Sequence, residues 1–213
     1  MAPLSDDKLR YVVAAIARRL DEMRIDYAIM GGAAVCLLSR DPERMTQDVD
    51  LVIHVDQRRI TADNLTTQLL RLYPGEFGSV SQFGHIIPAY KLNGALVELE
   101  VFDQQSWPQR PQYNIRNASR SSVIINGYTV KIFSPEWILR EKILSQHQRQ
   151  GGKEEVDIRD AIQMLSIATP GKPELNFDSD PSLGEALLAF IRKRPDQERS
   201  LRQKIRCRAV FRN

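Results

Sequence analysis

The stretch Asp48-Val49-Asp50-Leu51-Val52-Ile53 constrains the fold more than any other part of the chain. In an extended strand alternate side chains share a face, so Asp48 and Asp50 point one way while Val49 and Leu51 point the other. Leu51, Val52 and Ile53 are apolar on both faces, and Val49 to Val55 is rich in β-branched residues, the pattern of a central strand. Two carboxylates therefore open a buried strand and face one space. In a partly buried cleft their repulsion favours a cation between them, and hard oxygen donors select Mg²⁺.

Upstream, Tyr27 to Met30 is a short apolar run ending in Gly31-Gly32, and Ala33 to Leu38 has a helical composition. The order is strand, glycine turn, helix. Glycines before a helix let backbone N–H groups approach a phosphate chain, and the helix N-terminus adds partial positive charge. Downstream, Glu98 and Glu100 alternate on a strand from Ala95 to Phe102. If that strand lies beside Val49 to Val55, one of the two glutamates completes a three-carboxylate site.

The remaining elements follow from local chemistry. Ser5 is a candidate N-cap for an amphipathic helix carrying Leu9, Val12, Val13, Ile16 and Leu20. Asn64 to Leu72 reads as a helix closed by Pro74 and Gly75. Two hairpins turn on Asn93-Gly94 and Asn126-Gly127, since Asn-Gly takes the positive φ angles of a type I′ turn. After Phe133 the character changes to helices, starting with Ser134-Pro135-Glu136 and continuing with Glu154 to Ile167 and Ser182 to about Lys193. The expected organisation is an α/β (α+β) core over 1–133, with a mixed twisted sheet flanked by helices, and a C-terminal helical region over 134–213.

Composition narrows the class. Of 213 residues, 42% are hydrophobic and 27% charged, which suits a folded globular chain and excludes a disordered one. The net charge of +3 suits an anionic ligand without requiring nucleic acid. Cys36 and Cys207 are far apart, which speaks against a disulfide framework or zinc site and for a reducing, cytoplasmic setting. No run approaches the roughly 18 apolar residues of a membrane span. The basic tail, with Arg192, Lys193, Arg194, Arg199, Arg202, Lys204, Arg206, Arg208 and Arg212, reads as a solvated or partly disordered end, with an RNA-binding arm as the alternative. Cys36 is expected to be a small buried residue, Trp107 and Trp137 to pack, and His54, His85 and His147 to be structural.

Together, GGAAV at 31–35, RMTQDVDLVI at 44–53 and the later acid resemble the nucleotidyltransferase superfamily that includes DNA polymerase β. The nearest resemblance is to the minimal nucleotidyltransferases, the AbiEii-like toxins and the aminoglycoside nucleotidyltransferases. SPEWILREKILS and KEEVDIRDAIQML also look like that subgroup's Ser-Pro-Glu and Lys-x-x-x-Asp helices. Two features depart from the pattern: a longer spacing from Gly32 to Asp48, read as a loop around Ser39 to Glu43, and a third acid that is Glu where Asp is common.

The resemblance implies a nucleotidyltransferase that moves a nucleoside monophosphate, AMP by preference, from a nucleoside triphosphate such as ATP to an acceptor hydroxyl, with release of pyrophosphate. It implies that Asp48, Asp50 and a third acid bind Mg²⁺ in a two-metal site. Glu100 is preferred to Glu98 as that acid, because Val101-Phe102 follows it as an apolar pair does in the family. Gly31, Gly32, Arg44 and Thr46 belong to the triphosphate side. Lys142 and Lys153 either contact triphosphate or are plain helix residues. The acceptor is a small molecule, a protein or an RNA; a cationic one would draw on Asp41, Glu43 and Asp103. A catalytically degenerate binding module on the same fold is the alternative function. A dinucleotide-binding oxidoreductase is disfavoured, because G-x-G-x-x-G is absent and the hairpins do not suit a parallel sheet.

Overall fold

The computed structural model describes residues 2–39, 41–82 and 84–211. Arg40 of the Ser39–Glu43 loop and Arg212 of the basic tail lie outside them. The chain divides into two compact units, Met1–Phe133 and Ser134–Asn213.

Among the described residues the first unit is a seven-stranded mixed sheet with helices. In chain order its elements are α1 (Asp6–Glu22), β1 (Tyr27–Met30), α2 (Gly31–Leu38), β2 (Asp48–Ile53), α3 (Ala62–Leu72), β3 (Phe77–Gln82), β4 (His85–Leu92), β5 (Ala95–Asp103), β6 (Arg120–Ile125) and β7 (Tyr128–Phe133). The strands lie in the order β3-β4-β5-β2-β1-β7-β6. Pairing is parallel between β2 and β5 and between β1 and β7, and antiparallel elsewhere. Because β1 and β2 are antiparallel neighbours joined through α2, the parallel βαβ unit of a dinucleotide fold is not formed here.

The core explains the order. All four residues of β1 are buried, as are Val49 and Leu51 to Ile53 of β2. On α1, which lies against β7, Val12, Val13, Ile16, Ala17 and Leu20 are buried. Ser5 stands at the N-cap position of α1, but its hydroxyl makes no capping bond; its carbonyl accepts from Leu9 N at 2.9 Å. Both hairpins turn as expected, with φ of +49° and +82° at Asn93 and Gly94 and +50° and +76° at Asn126 and Gly127.

Strand β3 has no counterpart in the sequence reading. Its FGSVSQ composition is polar, and as the edge strand it pairs along its length with β4 only. What anchors it is Phe77, whose ring meets that of Tyr90 edge-on at 5.5 Å.

The second unit holds α4 (Pro135–Gln148), α5 (Gly152–Ile167), α6 (Pro181–Lys193) and α7 (Glu198–Lys204). Ser134 caps α4 by accepting from Trp137 N at 3.2 Å, with Pro135 in the first turn where its missing N–H costs nothing. Lys142 joins α4 to α5: its ammonium lies 2.7 Å from Asp157 and 2.8 Å from Asp160, and Arg149 reaches Asp157 at 3.0 Å.

The basic tail is folded up to Phe211, which corrects the expectation of a partly disordered end, while Arg192, Arg199, Arg202, Arg206 and Arg208 stay exposed. Leu201, Ile205, Cys207 and Phe211 are buried. Backbone bonds from Arg206 N to Leu175 O and from Phe177 N to Arg206 O fix the segment after α7. Arg206 and Arg208 flank Asp178, while Arg194 and Arg202 pair with Asp196 and Glu198. The charge bias hid a sparse apolar stripe, and much of the charge is paired.

Removing the Lys142 ammonium leaves two buried carboxylates facing each other, a loss of about 3–5 kcal/mol. Lys142→Met is therefore expected to lower the denaturant midpoint sharply, whereas exposed Lys153→Met leaves it nearly unchanged; equal midpoints in the two variants would refute the structural role of Lys142.

Candidate active site

The site begins with strand register. In the parallel pair of β2 and β5, Asp48 is opposite Glu98 and Asp50 is opposite Glu100. Asp48 and Asp50 share one face of β2. Asp48, Asp50 and Glu100 are half-buried, and each offers a carboxylate oxygen within 4.8 Å of the others. Glu98, although registered beside Asp48, does not join that group.

The residues before β2 hold this arrangement. Thr46 is buried, its hydroxyl donates to Asp48 Oδ1 at 2.8 Å, and its carbonyl accepts from Leu4 N at 2.7 Å. The hydroxyl thus orients one carboxylate while the backbone bond fixes Thr46. Arg44 folds back so that its guanidinium donates to Met45 O, and Arg44 O accepts from Cys36 Sγ at 3.1 Å. Cys36 is half-buried, less so than expected.

The glycines do more than open a helix. They form the first turn of α2 itself, with no separate turn ahead of it. Gly31 has φ of +65°, and a Cβ there would lie 1.8 Å from Asp50 Oδ2. A Cβ on Gly32 would lie 2.8 Å from Thr46 Oγ1 and 3.1 Å from Arg44 Nη2. Both positions must lack a side chain so that β2 can bring its acid and its preceding Thr and Arg against α2. Sequence reasoning assigned the pair to phosphate approach and missed this packing reason, because no local signal says which strand lies against the turn.

Other expected residues have surroundings of their own. Lys142 is committed to Asp157 and Asp160 within the second unit, and Lys153 is exposed in the first turn of α5. Asp103 is fully buried, accepting from Ala62 N at 2.9 Å and from Ser106 N and Oγ at 2.7 and 2.8 Å, so it anchors the start of α3 and gives a cationic acceptor nothing. Asp41 accepts from Glu43 N at 2.9 Å. His54, at the end of β2, is held below the usual histidine range by burial and then by Arg116, which keeps it neutral near pH 7.

Three carboxylates of hard oxygen, close together and open to solvent on one side, form a donor set that fits Mg²⁺. An acid pair on a central strand, a third acid on its parallel neighbour and a glycine-opened helix packed against them define a nucleotidyltransferase-type protein. No family model matches the sequence, and no curated protein does. Among solved structures, an antigenic nucleotidyltransferase-like protein from Paracoccidioides brasiliensis is 63% identical, with a TM-score of 0.95 and full coverage of both chains. The chain belongs to that nucleotidyltransferase-like family. More distant likenesses are to ANT(2")-Ia in complex with adenylyl-2"-tobramycin, at 16% identity, TM-score 0.46 and 86% and 97% of the two chains, and to the lincosamide antibiotic adenylyltransferase LnuA, at 15%, 0.47, 78% and 100%.

Because Gly31 has no room for a methyl group, Gly31→Ala is expected to displace the Asp50 carboxylate and weaken Mn²⁺ binding about 10–100-fold, the usual effect of disturbing a ligand's support. Electron paramagnetic resonance of free Mn²⁺ measures this, with far-ultraviolet circular dichroism checking the fold. Affinity equal to that of the unsubstituted chain in a folded variant would separate Gly31 from the site.

Proposed function

We propose that this chain is a metal-dependent nucleotidyltransferase that moves a nucleoside monophosphate, AMP by preference, from a nucleoside triphosphate to an acceptor hydroxyl and releases pyrophosphate. The observation that carries this reading is the convergence of Asp48, Asp50 and Glu100 beside the Gly31-Gly32 start of α2. Those three carboxylates would hold Mg²⁺, which when bound supplies positive charge to the triphosphate and to the oxygens of an in-line displacement.

The chain's own groups do the rest. The backbone amides at the start of α2 face the triphosphate, where the partial charge of a helix N-terminus is favourable. Thr46 holds Asp48 in orientation, and Arg44 places its guanidinium beside Gly32 on the same side. Glu100 takes the proton of the acceptor hydroxyl, a role that general bases fill for about 10²–10⁴ in rate. Of the two lysines expected at the triphosphate, Lys142 is not retained, since two buried carboxylates already hold its ammonium. A silent binding module on the same fold has little use for three converged acids, which weighs for catalysis. We read the setting as cytoplasmic; among the described residues no helix is long and apolar enough to cross a membrane.

The test is to incubate the chain with Mg²⁺, each labelled nucleoside triphosphate and separate pools of metabolites, protein and RNA. A labelled product is expected from one pool, lost on chelation and reduced about 10²–10³-fold or more in Asp48→Ala and Asp50→Ala. Absence of product from every pool, or undiminished product in those variants, would overturn the assignment. Within the acid set, Glu100→Gln should fall as far, while Glu98→Gln should stay within about 3-fold of the unsubstituted enzyme.

A further inference from the structure

We propose that a cavity between β4 and β5 is the acceptor site, and that it takes a small alcohol with a flat, apolar body. The proposal rests on the transferase reading above for its chemistry, but not for its binding. Its origin is a departure in the sheet. Strand β4 stays paired with β3 from Tyr90 out to His85, yet pairs with β5 only from Leu92 to Ala89. Strand β5 meanwhile continues beside β2 to Asp103. Pairing with β5 stops at Pro88, a residue with no N–H to give to a ladder. Beyond it the outer hairpin leaves β5, and a cavity of about 570 Å³ opens there, a size suited to a small molecule.

The lining selects the occupant. Ile86, Ile87, Leu99, Phe102 and Trp107 supply an apolar wall. Two of these are large apolar residues left in solvent, Ile86 at 65% exposure and Trp107 at 42%, so Trp107 does not simply pack as expected. The Trp107 ring meets Phe102 edge-on at 5.8 Å, and its backbone N–H is anchored on Asp103 O at 3.1 Å. A rigid aromatic face is thereby presented to the cavity. Among the described residues the lining contains Asp63, His85 and Glu100 but neither Lys nor Arg, so it offers no permanent cation to the phosphates of an RNA. It also offers too few acids for a polycation whose ammonium groups would face an apolar wall.

Glu100 belongs both to this wall and to the acid cluster. An occupant of the cavity thus has Glu100 as a neighbour, and in the proposed reaction it turns its hydroxyl toward that residue's carboxylate. The alcohol oxygen bonds to the α-phosphorus, the bond from that phosphorus to the bridging oxygen breaks, pyrophosphate leaves with the electron pair, and the proton passes to Glu100. The product is the alcohol's nucleotidyl ester.

The chain has two tryptophans, and Trp137 is buried in the second unit, so two indole N–H resonances report separately on the two sites. With 2-naphthol as the probe and no triphosphate, the resonance missing in Trp107→Phe is expected to shift saturably while the other stays. Ile86→Glu, at an exposed position that should not affect folding, is expected to weaken that binding about 5-fold or more. The polycationic aminosugar kanamycin should leave the Trp107 signal in place. A Trp107 signal unmoved by 2-naphthol, unchanged affinity in Ile86→Glu, or an equal response to kanamycin would overturn the proposal. Adding ATP and Mg²⁺ should then yield 2-naphthyl adenylate. Binding without that product, in an enzyme that does turn over another acceptor, would overturn the acceptor assignment alone; no turnover with any acceptor would instead indict the transferase reading and leave the binding result standing.

Discussion

Asp48, Asp50 and Glu100 bring three like charges to oxygens within 4.8 Å of one another. At an effective dielectric of about 20, each such pair repels by roughly 3 kcal/mol. The hydrogen bond from Thr46 to the charged Asp48 contributes about 1.5–3 kcal/mol of net stability, which at best matches the repulsion of one pair. A divalent cation held by these oxygens would relieve that repulsion, and the protein's task is to keep the acids together.

That task falls to backbone register, which side-chain repulsion cannot shift. The parallel ladder of β2 and β5 sets Asp50 against Glu100, and the antiparallel ladder of β1 and β2 sets Met30 against Asp50. Gly31 is the next residue after Met30, so the chain turns into α2 at the point where Asp50 stands. This is why a Cβ on Gly31 would collide with that carboxylate, and why the glycine pair and the acid pair, seventeen positions apart from Gly31 to Asp48, act as one structural unit. The same sheet behaves differently at its other side, where Pro88 ends the pairing of β4 with β5 and leaves space next to Glu100. Rigid pairing on one flank of β5 and interrupted pairing on the other give its third acid both a fixed position and an open approach.

What was legible in the sequence was chemistry set by near neighbours. The Asn-Gly turns, the Ser134-Pro135 helix start and the acid-apolar alternation of β2 each depend on residues within a few positions, and each appears where expected. What was not legible depended on distant partners. Strand β3 has no alternation of its own and exists because β4 offers it an edge. The steric role of Gly31 needs the register of Met30 with Asp50, which nothing near Gly31 in the sequence announces. The tail failed for another reason: its arginines dominate the composition, while Leu201, Ile205, Cys207 and Phe211 are too widely spaced to register as a periodic stripe.

Two acid groups among the described residues show how burial separates a joint from a site. Asp157 and Asp160 are almost wholly withdrawn from solvent, with the Lys142 ammonium between them. A counter-charge so enclosed is permanent, since breaking it would strand buried carboxylates. Asp48, Asp50 and Glu100 are only half-buried, so ions and water reach them without unfolding anything. Acids of the same kind thus serve as cement where the protein supplies and seals in the cation, and stay open to exchange where, in the proposed reaction, a cation would come and go with a polyphosphate.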